Sequence, residues 1–174
     1  MALYEQIRDR EAAGNTPVYA PDGPLLRLPA PLTSLVGRQA DLQSLGGLIT
    51  HSRLITLTGP GGCGKTRLAV EAASAARKLF ADGICMVDLA SLADSAQLIQ
   101  AVASALGQSS QPNTSTAEGI DAVSAYVQSR QMLLILDNCE HMITECASWS
   151  RRWLSACPNL KILATSREPL NSRP

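Results

Sequence analysis

Residues 59–66 read GPGGCGKT, and no other stretch of the chain restricts its fold as much. Gly59, Gly64, Lys65 and Thr66 meet the spacing GxxxxGK[ST], with the apolar run RLITLT before the octet and the helical run KTRLAVEAASAARKLF after it. Strand, glycine loop and helix in that order form a phosphate cradle. Gly59, Gly61, Gly62 and Gly64 lack Cβ atoms, so the loop amides can close on an anion. The helix that starts at Gly64 or Lys65 adds unpaired amides and the positive end of its dipole. Lys65 is expected to reach β- and γ-phosphates as a flexible point charge, and Thr66 to offer its hydroxyl to Mg²⁺. Pro60, Cys63 and Arg67 complete the run expected to contact the nucleotide; Cys63 stands at a variable position of the motif, where a small residue simply fits.

From Ser34 onward apolar runs alternate with helical periodicity, the pattern of βαβ units on a parallel sheet. Strands are expected at Leu54–Leu57, Ile84–Asp88, Met132–Leu136 and Lys161–Ala164, and helices at Arg38–Ile49, Lys65–Phe80, Ser95–Leu106, Ala117–Ser129 and Ile143–Ala156. The fold class is therefore α/β: a three-layer P-loop NTPase with a mainly parallel sheet of about four strands. Trp149 and Trp153 lie four apart on one helix face, a spacing that suits packing against the sheet.

A phosphate loop needs a partner for its metal, and QMLLILDN at 131–138 supplies an apolar strand that ends in an acid. Asp137 at the carboxyl end of a parallel strand falls where such sheets bind ligands, beside Thr66, and is expected to hold Mg²⁺ through water. A cap on the following helix is the plainer alternative for an aspartate there. The next position is Asn138, which cannot take a proton at neutral pH, so the general base is open. Glu140 and His141 are the nearby candidates, against the alternative of a solvated helix start.

Composition narrows the partners. Fifteen basic and fifteen acidic side chains give zero net charge, and aromatic content is 3%, so neither a basic footprint nor base-stacking platforms favour direct nucleic-acid binding. The first residues, MALYEQIRDREAAG, carry charges throughout, and no apolar run reaches spanning length. The expectation is a cytoplasmic chain without membrane contact. Five cysteines without a CxxC pair are expected as reduced thiols, packed as small apolar groups. Pro17, Pro21, Pro24, Pro29 and Pro31 make residues 15–31 an extended linker, preceded by a short helix over 2–13. Residues 1–31 are thus set apart from an NTPase domain over 32–174. GQSSQPNTST at 107–116 reads as a loop.

Four stretches in order, SLVGRQADL at 34–42, LTGPGGCGKTRLA at 57–69, LLILDNCEH at 133–141 and ILATSREPL at 162–170, resemble signal-transduction ATPases of the STAND class. They are most similar to the NB-ARC-like ATPase domains of bacterial transcriptional regulators of the LuxR and SARP types. The resemblance implies that Val36, Gly37 and Arg38 lie near adenine and ribose. It makes Arg167 the sensor arginine that reads the γ-phosphate, with Thr165 and Ser166 helping to position it. It implies ATP or ADP with Mg²⁺ as ligands, other domains or proteins of a regulatory system as partners, and a sheet order 5-1-4-3-2. Gln39 departs from the Glu common after the GR pair. The chain stops at Pro174, where the family continues into a last strand, a helical lid and effector regions, so a truncated domain, with the loop-bearing strand at a sheet edge, is expected.

Three functional classes stand open at this point. One is a nucleotide-controlled switch, with slow or absent hydrolysis in this chain and Lys65, Asp137, Glu140 and Arg167 as its catalytic candidates. Another is a small P-loop kinase, for which no lid arginines or acceptor-pocket signature are visible. The third is an interaction module that keeps the fold without the chemistry. The oligomeric state is not legible in the sequence.

Overall fold

The computed structural model describes residues 25–29, 37–108 and 115–170. In chain order it contains β1 (Leu25–Arg27), α1 (Gln39–His51), β2 (Leu54–Thr58), α2 (Lys65–Ala75), β3 (Gly83–Asp88), α3 (Ser95–Ala105), α4 (Thr116–Val127), β4 (Met132–Asp137), α5 (Ile143–Ala156) and β5 (Leu160–Ser166). Short 3₁₀ turns at Arg77–Leu79 and Cys139–His141 follow α2 and β4. The five strands form one parallel sheet in the order β1-β3-β4-β5-β2.

Strand β4 is central because its sequence allows it. All six residues of MLLILD are buried, as a strand covered on both faces requires. Successive side chains leave opposite faces of the sheet, and the core divides accordingly. Leu133 and Ile135 pack with Leu45, Ile49, Leu68, Ala69 and Ala72 from α1 and α2. Met132, Leu134 and Leu136 pack with Leu98, Val102, Ile120, Val123 and Trp153 from the other three helices. The result is the expected helix–sheet–helix sandwich. Trp149 and Trp153 join that second cluster, edge to face with centroids 6.1 Å apart.

The helix ends follow local chemistry. Asp94 caps α3 by accepting from the Gln97 amide at 2.8 Å. Ser115 and Glu118 form a reciprocal capping box at the start of α4. The long helix expected over Lys65–Phe80 ends as an α-helix at Ala75 and tightens into the 3₁₀ turn, which brings Phe80 into the core beside Ile84.

The sheet has five strands where about four were expected. Leu25–Arg27, inside the proline-rich stretch read as linker, runs parallel to β3 with Leu25 opposite Gly83 and Leu26 opposite Ile84. An edge strand of three residues between prolines leaves no periodicity to read, since its pairing partner lies far along the chain. At the opposite edge, β2 pairs among the described residues with β5 alone. Among the described residues the strand that feeds the glycine loop therefore lies at an edge of the sheet. The helix expected over 2–13 and most of the loop expected over 107–116 lie outside the described residues.

Candidate functional site

The carboxyl ends of β2, β3, β4 and β5 bring together the glycine loop, Asp88, Asp137 with the turn after it, and the segment from Thr165 to Arg167. This is the end at which open parallel sheets bind ligands. The loop rises from Thr58 and enters α2 through Gly64, the helix N-cap, whose left-handed φ of 85° suits a residue without Cβ. Lys65 bends back over the loop and donates from Nζ to the carbonyls of Gly59 at 2.9 Å and Pro60 at 3.0 Å. Its ammonium therefore stands at the mouth of the loop.

One residue further on, the Thr66 hydroxyl donates to Asp137 Oδ1 and Oδ2 at 2.9 and 2.8 Å. Asp137 is 2% exposed. A carboxylate so buried needs partners, and the Thr165 hydroxyl also donates to Oδ1. Three sequence-distant groups thus meet at one buried acid. The Thr165 side chain serves Asp137 and accepts from the Asn138 amide at 3.0 Å, whereas its expected task was to position Arg167.

Asn138 takes a left-handed backbone, φ 61° and ψ 47°, which asparagine tolerates better than most residues. That turn aims its side chain sideways: Nδ2 donates to Asp88 Oδ1 at 2.8 Å and to Asp137 Oδ2 at 3.3 Å. Asp88 ends β3 in register with Asp137. It was read only as a strand end; the available signal was that MVD at 86–88 repeats the strand-then-acid pattern of ILD at 135–137.

Arg167 pairs through Nε with Glu140 Oε1 at 3.3 Å. A Cβ added to Gly61 would lie 3.6 Å from Arg167 Nη2, so the guanidinium sits beside the glycine loop. Glu140, a candidate base, is engaged by this arginine. The other, His141, has Nε2 3.1 Å from the Leu92 carbonyl. Arg38 Nη1 donates to the Cys63 carbonyl at 3.0 Å and pairs with Asp41, which ties the segment before α1 to the loop. Gly37 precedes it in a bend with φ 76°. Arg67 lies in the first turn of α2. Val36 lies outside the described residues.

All five cysteines are free; Cys63 is half-buried and the other four are buried. Burial pushes the Cys85 thiol up to about 12. Cys139 is also raised, first by its hydrogen bond with Cys146 and then by burial. Among the described residues no group of three or more His, Cys, Asp and Glu side chains gathers around a cation position, and no helix is long and apolar enough to cross a membrane.

A family model described as an AAA domain matches residues 49–169. A protein of Mycobacterium tuberculosis, provisionally named an HTH-type transcriptional regulator, is 46% identical over 123 residues, which cover 71% of this chain and 13% of that protein. The regulatory protein AfsR of Streptomyces griseus is 31% identical, covering 91% of this chain and 17% of its own length. The chain therefore spans well under half the length of these relatives. Among solved structures, Cdc6p of Pyrobaculum aerophilum superposes with a TM-score of 0.61 at 16% identity, over 90% of this chain and 42% of that one. A STAND protein with a tetratricopeptide repeat sensor from Pyrococcus horikoshii gives 0.55 at 17% identity, over 91% and 24%. At such identities the superpositions establish a shared P-loop ATPase fold.

Proposed function

The chain belongs to the AAA domain family, and from that premise we propose that it is the nucleotide-controlled switch module of a regulatory protein. The observation that carries the reading is the double hydrogen bond from Thr66 to Asp137, which joins the first turn of the loop helix to the acid of the central strand. Hydroxyl and carboxylate oxygens are the hard donors that Mg²⁺ prefers, completed by water and phosphate oxygens. When bound, Mg²⁺ would offset charge on the β- and γ-phosphates. The loop amides and Lys65 would hold those phosphates, and Gly37 and Arg38, with Val36, would lie toward the base and ribose.

A switch needs two states that bind ATP and ADP with different free energies. Arg167, beside Gly61 and paired with Glu140, is the group we assign to sensing the γ-phosphate. An arginine already engaged by a carboxylate, and an asparagine directly after the strand acid, both favour slow hydrolysis over rapid turnover. Relatives named as transcriptional regulators support a regulatory setting, in which the partners are other domains or proteins. The zero net charge argues against direct DNA contact by this chain.

The test is calorimetric titration of the chain with ATP·Mg²⁺ and with ADP, beside Lys65→Ala. Micromolar binding of both, weakened at least tenfold in the variant, is expected. Equal binding by a folded variant, or none by the folded parent, overturns the reading. A second reading, an interaction module, is favoured by the edge position of β2 among the described residues, since an edge strand can accept a further strand. Partner binding unaffected by Lys65→Ala would select it.

A further inference from the structure

The acids and bases around the loop are not equally free to act. Glu140 is held by Arg167, and the His141 ring stands against the Leu92 carbonyl. Asp137 accepts from Thr66 and Thr165 and is 2% exposed. Asn138, where a second acid would sit, is an amide and cannot act as a base. Asp88, by contrast, is exposed, ends β3 in register with Asp137 and is hydrogen-bonded to the residue that follows the strand acid. Its side chain is fixed by two donors, the Ala90 amide at 3.0 Å and Asn138 Nδ2 at 2.8 Å, and both bonds fall on Oδ1. Asn138 holds Asp88 on one side and Asp137 on the other, so a single amide sets the spacing between the exposed acid and the buried one.

We propose that Asp88 is the general base of this chain's ATP hydrolysis, with Asn138 as its positioning residue. The inference rests on the nucleotide-binding reading above. In the step it performs, a water oxygen attacks the γ-phosphorus while Asp88 takes the water proton. The bond from that phosphorus to the bridging β-phosphate oxygen breaks, and ADP leaves with the electron pair. The products are ADP and inorganic phosphate, and the proton passes from Asp88 to solvent. The assignment explains why an asparagine follows the strand acid: the proton acceptor has moved one strand across, and the amide has become its clamp.

Asp88→Asn separates this role from a structural one, because the new amide oxygen still accepts from Ala90 and Asn138 while the basicity is gone. The experiment is single-turnover hydrolysis of radiolabelled ATP·Mg²⁺ by excess full chain, with calorimetry of ATP·Mg²⁺ and ADP on the same proteins. The expected result is at least a tenfold slower turnover in Asp88→Asn, with ATP·Mg²⁺ bound a few-fold more tightly, because on this assignment a negative charge beside the γ-phosphate is removed, and ADP unchanged. The double variant Asp88→Asn/Asn138→Asp, which returns a carboxylate to the pair from the other side, is expected to recover most of the rate. Turnover unchanged in Asp88→Asn, equal effects on both nucleotides, or a parent chain that binds ATP·Mg²⁺ without cleaving it would each overturn the assignment while leaving nucleotide binding intact. Failure of the folded parent to bind either nucleotide would overturn the underlying reading itself.

Discussion

The hydroxyl of Thr66 donates to both carboxylate oxygens of Asp137, at 2.9 and 2.8 Å, across 71 positions of sequence. Thr66→Ala removes one of the donors that keep this buried acid solvated by protein, so a stability loss of about 1–3 kcal/mol is expected in urea unfolding. The same variant, and Asp137→Asn, should reduce the gain in ATP affinity on adding Mg²⁺ by at least tenfold. Titration with and without the metal checks it; a preserved gain in both variants would remove the pair from metal binding.

Arg167 and Glu140 make a different kind of pair. Arg167 is 66% exposed, and exposed ion pairs contribute little to stability. Arg167→Ala should therefore leave the melting temperature nearly unchanged, yet weaken ATP·Mg²⁺ about tenfold, the equivalent of about 1.4 kcal/mol, with ADP unaffected. Comparable losses for the two nucleotides would show that the guanidinium does not distinguish them.

Gly83 holds the added edge strand. A Cβ there would lie 1.9 Å from the Leu25 carbonyl oxygen, and the backbone has φ 106°. Gly83→Ala is expected to detach β1 at a cost of about 1–3 kcal/mol, by strain and lost pairing. Hydrogen exchange should report it locally: the Leu25 amide, which donates to the Asp82 carbonyl at 3.0 Å, loses protection while the amides of β4 keep theirs.

Cysteine reactivity reports on the loop. Four thiols are buried, and that of Cys85 is pushed up to about 12, so almost no Cys85 thiolate exists at neutral pH. Iodoacetamide should label Cys63 first in the native chain, by mass spectrometry, and ATP·Mg²⁺ should slow that labelling several-fold. Labelling of Cys63 that ignores saturating nucleotide would place the phosphates elsewhere.

Acid sensitivity should be visible at α4. The Ser115 amide, and then the Ser115 hydroxyl, hydrogen-bond to Glu118 and hold its carboxyl below the ordinary 4.5. A depressed folded-state value means stabilisation present above the unfolded value and lost as pH falls through the folded one. Glu118→Gln, which cannot ionise, should thus lower the melting temperature slightly in the neutral region and converge with the parent below about pH 4.5, so that its acid limb is flatter. An acid limb identical in the two proteins would mean that other groups set it.

The residues that act locally were legible in the sequence: the glycine loop, the order of strands and helices from residue 38 onward, the buried run of β4 and the two tryptophans. Spacing and periodicity carry them, because hydrogen bonds within a turn or a helix involve near neighbours. Three features needed the fold. The strand Leu25–Arg27 exists because β3 offers it an edge. Thr165 serves Asp137 because β5 lies beside β4. Asp88 joins the site because parallel register sets it level with Asp137 and the left-handed turn at Asn138 points an amide between them. A one-dimensional pattern can specify which strands form and which of their ends carry acids. Which acids become neighbours depends on the order and register of the strands, and those are fixed by long-range burial on both faces of the sheet.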